Sequence, residues 1–359
     1  MLGKASPATL LFNSGRGALL HVLSQLPQKK VFVQAYTGHS VFKAIRLSGK
    51  DLALLDITLS DFGLDIDQLA DRMKKGSIII ATHLYGIPCQ IEKIMDIARQ
   101  NECVVIEDAC AALGGMRRGR PLGSFGDIGF FSFDSSKNIS ACKGGVAIVN
   151  NPAYSKILEG SKSGEGPSSS FSFNVSSIVF GLLVRILTNK NLYGISLGRL
   201  FGNKRPYRDD GSGSFDKSTD SHFKTGIPHL KLGILVSQLK RLHSIAERRR
   251  RIVSIYLERL HEVRGIRLVK ISEGDYPVFM TFPFLLEKKD RYSVFDSLRR
   301  RGIDLGWTFS YVNALDKEEW GLMPNAKYAA EHMLNLPVYS GLTDMEAERI
   351  ADAVRNVLE

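Results

Sequence analysis

The chain has 359 residues, 44% of them hydrophobic and 24% charged, which excludes a disordered chain, a collagen-like rod and a coiled coil. Its net charge of +11 suits an anionic partner (a nucleotide, a phosphate, a nucleic acid or an acidic membrane surface) and equally suits an inert basic surface. No apolar run approaches the ~18–20 residues of a membrane span and no secretory pattern opens the chain, so the cytosol is the expected compartment.

The length predicts two domains, one large and one small. Cys89, Cys103, Cys110 and Cys142 show no metal-ligand spacing, so neither zinc nor a disulfide framework is expected. Cys103 and Cys110 lie in apolar sequence and read as small core residues.

In chain order, apolar periodicity predicts a helix over 17–26, a strand over 30–35, a helix over 41–47 and a strand over 51–56. A helix over 64–74, a strand over 77–83, a helix over 90–100 and a strand over 103–107 continue the alternation. Two short strands follow, over 128–133 and 146–149. The strands are continuous apolar runs, as expected where helices cover both faces of a mostly parallel sheet. Residues 160–222 break the pattern: two Ser/Gly-rich stretches flank an apolar, mildly basic segment over 178–201. That segment reads as a core or dimer-interface helix, with an active-site cover or a membrane-surface contact as the alternatives. One long amphipathic helix is predicted over 230–263, then strands over 266–270 and 278–285 and a helix over 291–301. A capping box, Thr343 to Glu346, opens the last helix. The arginine run 248–251 reads as a solvated helix face; nothing else suggests nucleic-acid binding.

The chemistry concentrates between residues 104 and 151. An apolar strand ends in Glu107-Asp108, and ligands bind at the carboxyl ends of parallel strands. Lys137 follows the buried-looking run around Phe131-Ser132-Phe133 and is poorly explained as a surface charge. A lysine can form an imine with a carbonyl, and a distant acid can hold a pyridine ring protonated, the pair that pyridoxal phosphate (PLP) requires. Near the N-terminus, Asn13-Ser14-Gly15-Arg16-Gly17 opens a helix whose free N–H groups suit an anion.

Taken together these blocks resemble the DegT/DnrJ/EryC1/StrS family of PLP-dependent sugar aminotransferases. The matching residues are 14–19, 34–37, 83–88, 105–109, 123–127, 131–133 with Lys137-Asn138, Gly144-Gly145, Gln238-Leu239 and 336–339. The resemblance implies the aspartate-aminotransferase-like fold type I, an α/β large domain with a smaller C-terminal α+β domain; the expected division is 1–235 and 236–359. It implies that Lys137 binds the cofactor aldehyde and moves the substrate proton, and that Asp108 pairs with the ring nitrogen. Ser14, Gly15 and Arg16 would form the first phosphate turn and Ser132 the second phosphate contact. It further implies an amino-acid donor, glutamate, a nucleotide-linked keto-sugar acceptor in aminosugar biosynthesis, and a homodimer with shared sites.

The sequence also departs from the family pattern. Ala111 and Leu113 stand where the family usually has Gln and often His, and Gly38 where an aromatic residue commonly stacks on the ring, a role that falls to His39 if anything replaces it. Lys224 and Gly226 stand where the family has Asn and Arg; Lys224 could still meet the partner subunit's cofactor phosphate. The alternatives are a member without transaminase turnover, serving as a PLP-binding or scaffold protein, and a PLP-dependent sugar dehydratase, which the presence of Lys137 disfavours.

Overall fold

The computed structural model describes residues 8–159, 226–306 and 319–359, together with six positions between 176 and 186. Strands β1 (Ala8–Phe12), β2 (Lys30–Gln34), β3 (Asp51–Leu55), β4 (Ile78–Thr82), β5 (Val104–Asp108), β8 (Ile128–Ser132) and β9 (Gly145–Val149) form one seven-stranded sheet. Its order is β1-β9-β8-β5-β4-β2-β3. Strands β2, β3, β4, β5 and β8 are parallel, and β9 runs antiparallel to both β8 and β1. Strand β1 therefore points the same way as the parallel set, so the carboxyl ends of β1, β2, β3, β4, β5 and β8 lie on one edge.

The apolar runs build this sheet because alternate side chains leave it on opposite faces. Val31, Val33, Ile78, Ile80, Val104 and Ile106 pack under α1 (Gly15–Gln25) and α2 (His39–Leu47). Phe32, Ile79, Ala81 and Val105 pack on the other face against α3 (Ile66–Arg72) and α4 (Ile91–Gln100). Both faces are dry, which is why the strands carry no polar alternation.

After α5 (Ser155–Glu159) the described chain resumes before α6 (His229–Leu239) and α7 (Leu242–Leu260). A second, antiparallel sheet has the order β10 (Ile266–Leu268), β12 (Phe282–Leu286), β13 (Met333–Leu336). It packs with α7, α8 (Arg291–Arg300), α9 (Pro324–His332) and α10 (Asp344–Leu358) around Tyr256, Phe282, Phe284, Phe295 and Leu334. The short strand β11 (Asp275–Tyr276) pairs with β6 (Met116–Arg117), which pairs with β7 (Arg120–Pro121), and so ties the second half of the chain to the first. Arg117 reinforces that tie with hydrogen bonds to Glu92 (2.5 Å) and Asp275 (2.9 Å). The capping box of α10 is formed, with Thr343 Oγ1 accepting the Glu346 N–H and Glu346 accepting the Thr343 N–H.

Several expectations are corrected. The helix over 230–263 is two helices, because the chain turns at Lys240–Arg241, where Arg241 has φ −102° and ψ 2°. The turn lets Leu235, Leu242 and Ile245 pack near the loop that carries Lys137, while Ile252 to Leu260 enter the C-terminal core. The strand over 278–285 begins only at Phe282; before it, Phe279 takes a φ of 33° and the Val278 and Met280 N–H groups bond to Gly86 and Tyr85. Strands β1 and β13 and helix α9 were not foreseen. Of the five described positions of the apolar segment, Ile178 is half-buried and Val179, Leu182, Leu183 and Ile186 are about half exposed, which speaks against the core half of the core-or-dimer-interface reading. Most of residues 160–222, and Lys224, lie outside the described residues.

Candidate active site

The carboxyl ends of β1, β2, β4, β5 and β8 border an open cleft lined by residues at or just after those ends, together with Met280 from the second half of the chain. Asp108 closes β5 and is buried. Its Oδ1 accepts the Cys110 N–H at 3.0 Å. Burial raises the pKa of this carboxyl, and the Cys110 hydrogen bond and the charge of Lys137 only partly offset that. A carboxyl so placed favours a cation in front of it, as a protonated ring nitrogen would be.

Lys137 lies on the connection from β8 to β9, half-buried at the cleft wall. The base of this connection is held by Phe133 N–H to Gly144 and Ala141 N–H to Phe133. Its sides are held by Asn138, which donates to the Ala111 carbonyl at 3.3 Å, and by Gln238, which donates to Ser140 at 2.8 Å. Asn138 thus ties the loop of Lys137 to the turn that follows Asp108, which explains why Lys137-Asn138 and the distant Gln238 belong to one pattern. The Lys137 Nζ lies 3.9 Å from Met280 Sδ.

The turn from β1 into α1 forms the third side. The Ser14 hydroxyl caps α1 by accepting the Gly17 N–H at 3.0 Å, and no acidic residue occupies the first turn. Gly15 and Arg16 line the cleft. A Cβ on Gly15 would lie 2.7 Å from Ser132 Cβ and 3.0 Å from its Oγ, and one on Gly145 would collide with the Ser14 carbonyl. Helix start, Ser132 and Gly145 therefore meet at backbone distance, a cradle that brings the free N–H groups of the α1 start, of the kind that bind phosphoryl oxygens, beside Ser132 at the cleft.

The structure brings Lys137, Asp108, Gly15, Arg16 and Ser132 to one cleft. Ser14 stands behind it as the helix cap. His39 is half-buried as the first residue of α2 and is not among the lining residues; Gly38 and Ser40 on either side of it are. Cys110, read as a core residue, is half-buried and lines the cleft. Sequence reasoning missed Thr37, Thr82, Tyr85 and Met280, which also line it. Tyr85 lay within a quoted block without a role; its hydroxyl meets that of Tyr36 at 3.1 Å. Met280 carried no signal. It is placed by Arg249, whose buried guanidinium donates to the carbonyls of Phe279 (2.8 Å), Met280 (3.2 Å) and Val338 (2.8 Å), and whose pKa burial lowers to about 10.

Glu107 serves structure rather than chemistry. It is fully buried and accepts four N–H groups: His83 Nε2 and Gly123 on one oxygen, Phe125 and Gly126 on the other, at 2.6–2.8 Å. His83 Nδ1 accepts the Cys89 N–H at 3.1 Å, which puts the ring proton on Nε2, facing Glu107. Asp127 repeats the device, accepting the Val105 N–H and the Asn151 amide.

The family model for DegT/DnrJ/EryC1/StrS aminotransferases matches residues 6–187 and 195–355. The chain belongs to that family. It is 26% identical over 353 residues to a UDP-N-acetyl-3-dehydro-alpha-D-glucosamine 3-aminotransferase of Acidithiobacillus ferrooxidans, covering 96% of this chain and 83% of the relative. It superposes with a TM-score of 0.72 on the PLP form of the putative sugar aminotransferase Spr1654 from Streptococcus pneumoniae, at 22% identity, covering 98% of this chain and 87% of that one. DesV from S. venezuelae gives 0.73 at 23% identity, covering 98% and 85%. These are fold type I structures, and aminotransferases of this family use PLP. The cradle, the buried Asp108 carboxyl and Lys137 fit that cofactor. Among the described residues no helix is long and apolar enough to cross a membrane.

Proposed function

We propose that this protein moves the amino group of glutamate to a keto-sugar carried on a nucleoside diphosphate, in aminosugar biosynthesis, working as a homodimer. The observation that carries the reading is that Lys137 and the buried carboxyl of Asp108 share one cleft with the start of α1. PLP, when bound, supplies the reactive aldehyde and a ring that takes up electrons from the carbon being changed. The Gly15 and Arg16 turn and Ser132 would hold its phosphate. Asp108 would pair with the ring nitrogen, and because burial raises its pKa its negative charge would depend on such a cation in front of it. Lys137, which lines the cleft, would be the amine that holds the aldehyde group and the base that would move the substrate proton. Gly38 and Ala111 leave the two sides of the cleft open where larger residues would narrow it. The basic character of the chain suits the diphosphate of such an acceptor.

The test is the visible absorbance of the purified protein with PLP, before and after glutamate, followed by supply of nucleotide-linked keto-sugars. The expected result is a visible band that glutamate bleaches and a keto-sugar restores. Lys137→Ala abolishes the band and turnover; a Lys137→Ala protein that still transfers the amine refutes the assignment.

A further inference from the structure

Lys231, in the first turn of α6, is fully buried. Its Nζ donates to Asn13 Oδ1 at 3.1 Å, and among the described residues that neutral amide oxygen is its one hydrogen-bond partner. No carboxylate among them pairs with it. Burial lowers its pKa, the neighbouring Lys143 lowers it further, and the Cys142 thiol is the nearby acidic group. An ammonium held in this way destabilises the folded chain unless a negative charge answers it.

Its position says where that charge sits. Asn13 is the residue before the Ser14 cap of α1, and the backbone of Gly145 presses on the Ser14 carbonyl from below. Through Asn13 the lysine is tied to the residue before the cap of an eleven-residue helix with no acid in its first turn. Two sources of positive potential, the helix start and Lys231, act on the same side of the cradle.

We propose that Lys231 is a positioning residue of the anion site: its buried charge is compensated by a phosphoryl group held at the start of α1, so the anion affinity of the cleft depends on a lysine outside its lining. This rests on the reading of residues 14–16 as the phosphate turn. No covalent step is involved.

The test compares wild type, Lys231→Met and Lys231→Gln in two measurements: thermal melting with and without inorganic phosphate, and PLP titration followed by absorbance. The glutamine keeps a donor for Asn13 and loses the charge. Both variants, without ligand, are expected to melt at or above the wild-type temperature, while phosphate raises their melting point less. Dissociation constants for phosphate and PLP are expected to rise about tenfold, the order expected for loss of one unit charge near a partly buried anion. Variants that melt lower and bind phosphate as wild type does show a structural lysine and overturn the proposal. So does Lys231→Gln binding normally where Lys231→Met does not, since the hydrogen bond then matters and the charge does not. If neither variant folds, the lysine is structural and the proposal falls. A wild-type protein that binds neither probe overturns the phosphate-turn reading and this inference with it; wild-type binding matched by both variants overturns the inference alone.

Discussion

Replacing Glu107 by glutamine tests whether the acid beside Asp108 is structural. The carboxylate offers two oxygens to four buried donors: His83 and Gly123 at one, Phe125 and Gly126 at the other. An amide has one acceptor oxygen, so in either orientation two donors face an NH2 group. Each stranded donor costs about 1–3 kcal/mol, giving a loss of about 2–6 kcal/mol. Urea denaturation of the two proteins measures it, and a loss under about 1 kcal/mol would refute the argument. The pH dependence gives a second reading. Burial alone would raise the carboxyl's pKa, but the His83 hydrogen bond and the Gly126 and Gly123 N–H groups outweigh it and hold the folded value below 4.5. Such a group stabilises the fold above its unfolded pKa and loses that contribution as pH falls through the folded value. The gap between wild type and Glu107→Gln therefore narrows in acid below pH 4.5.

Gly15→Ala puts a methyl 2.7 Å from Ser132 Cβ, and Ser132 is held in register with Gly145. The expected outcome is a loss of about 1–3 kcal/mol in stability together with much weaker PLP binding, and an unchanged PLP titration would contradict it. Asp108→Asn keeps an acceptor for the Cys110 N–H and removes a carboxyl whose folded pKa is raised by burial; such a group loses its stabilising contribution as pH rises, so the ligand-free variant should outmelt wild type at pH 7 while transamination disappears. A variant that melts lower there, or keeps turning over, would remove Asp108 from this role. Arg249→Ala strands three carbonyls and frees the segment that presents Met280 to Lys137, so melting should fall, by about 3 kcal/mol or more in stability at about 1–3 kcal/mol per stranded carbonyl, along with a changed visible spectrum of the PLP complex; equal melting curves would show that the clamp is idle. Gly38 has φ −65°, and a Cβ there would meet only Ser40 Oγ at 3.5 Å, so the backbone admits a side chain at this position and Gly38→Phe can be made without strain at its Cβ. A ring stacked at that wall should tighten PLP binding roughly two- to tenfold and slow the bulky acceptor; weaker PLP binding would argue against a ring-facing position.

What the sequence made legible is what depends on local pattern. The strands of the main sheet read as apolar runs because both faces are buried, and Asp108 and Lys137 stood out because each follows such a run. Strand β1 was missed because Ala8–Phe12 is defined by its antiparallel partner β9, 133 to 141 positions away, rather than by its own periodicity. The break at Lys240–Arg241 has no glycine or proline to announce it; it exists because one helix must serve two separate cores. Glu107 was read only as one of two acids at a strand end, since nothing in Glu107-Asp108 says which faces the cleft. The pleat decides it: adjacent residues on a strand point to opposite sides, so when Asp108 faces the cleft, Glu107 must turn toward the 123–126 turn and be satisfied there.

The same logic explains the residues without any signal. Met280 reaches Lys137 across 143 positions and Lys231 reaches Asn13 across 218, and neither side chain has a type that marks it for its task. Met280 is there because Arg249 fixes a left-handed kink at Phe279, and that kink is admissible because the Val278 and Met280 N–H groups find carbonyls in the Tyr85–Gly86 turn. That turn in turn needs Gly86: at φ 85° it has no room for a Cβ, which would lie 2.6 Å from the Ala111 carbonyl. Ala111 accepts the Asn138 amide, and Asn138 follows Lys137. A closed circuit of backbone contacts thus runs from the C-terminal half through Tyr85 and Ala111 to the lysine. The position of Lys137 is therefore a property of the assembled halves, and a substitution at Arg249 or Gly86 acts on the cleft as directly as one on its lining.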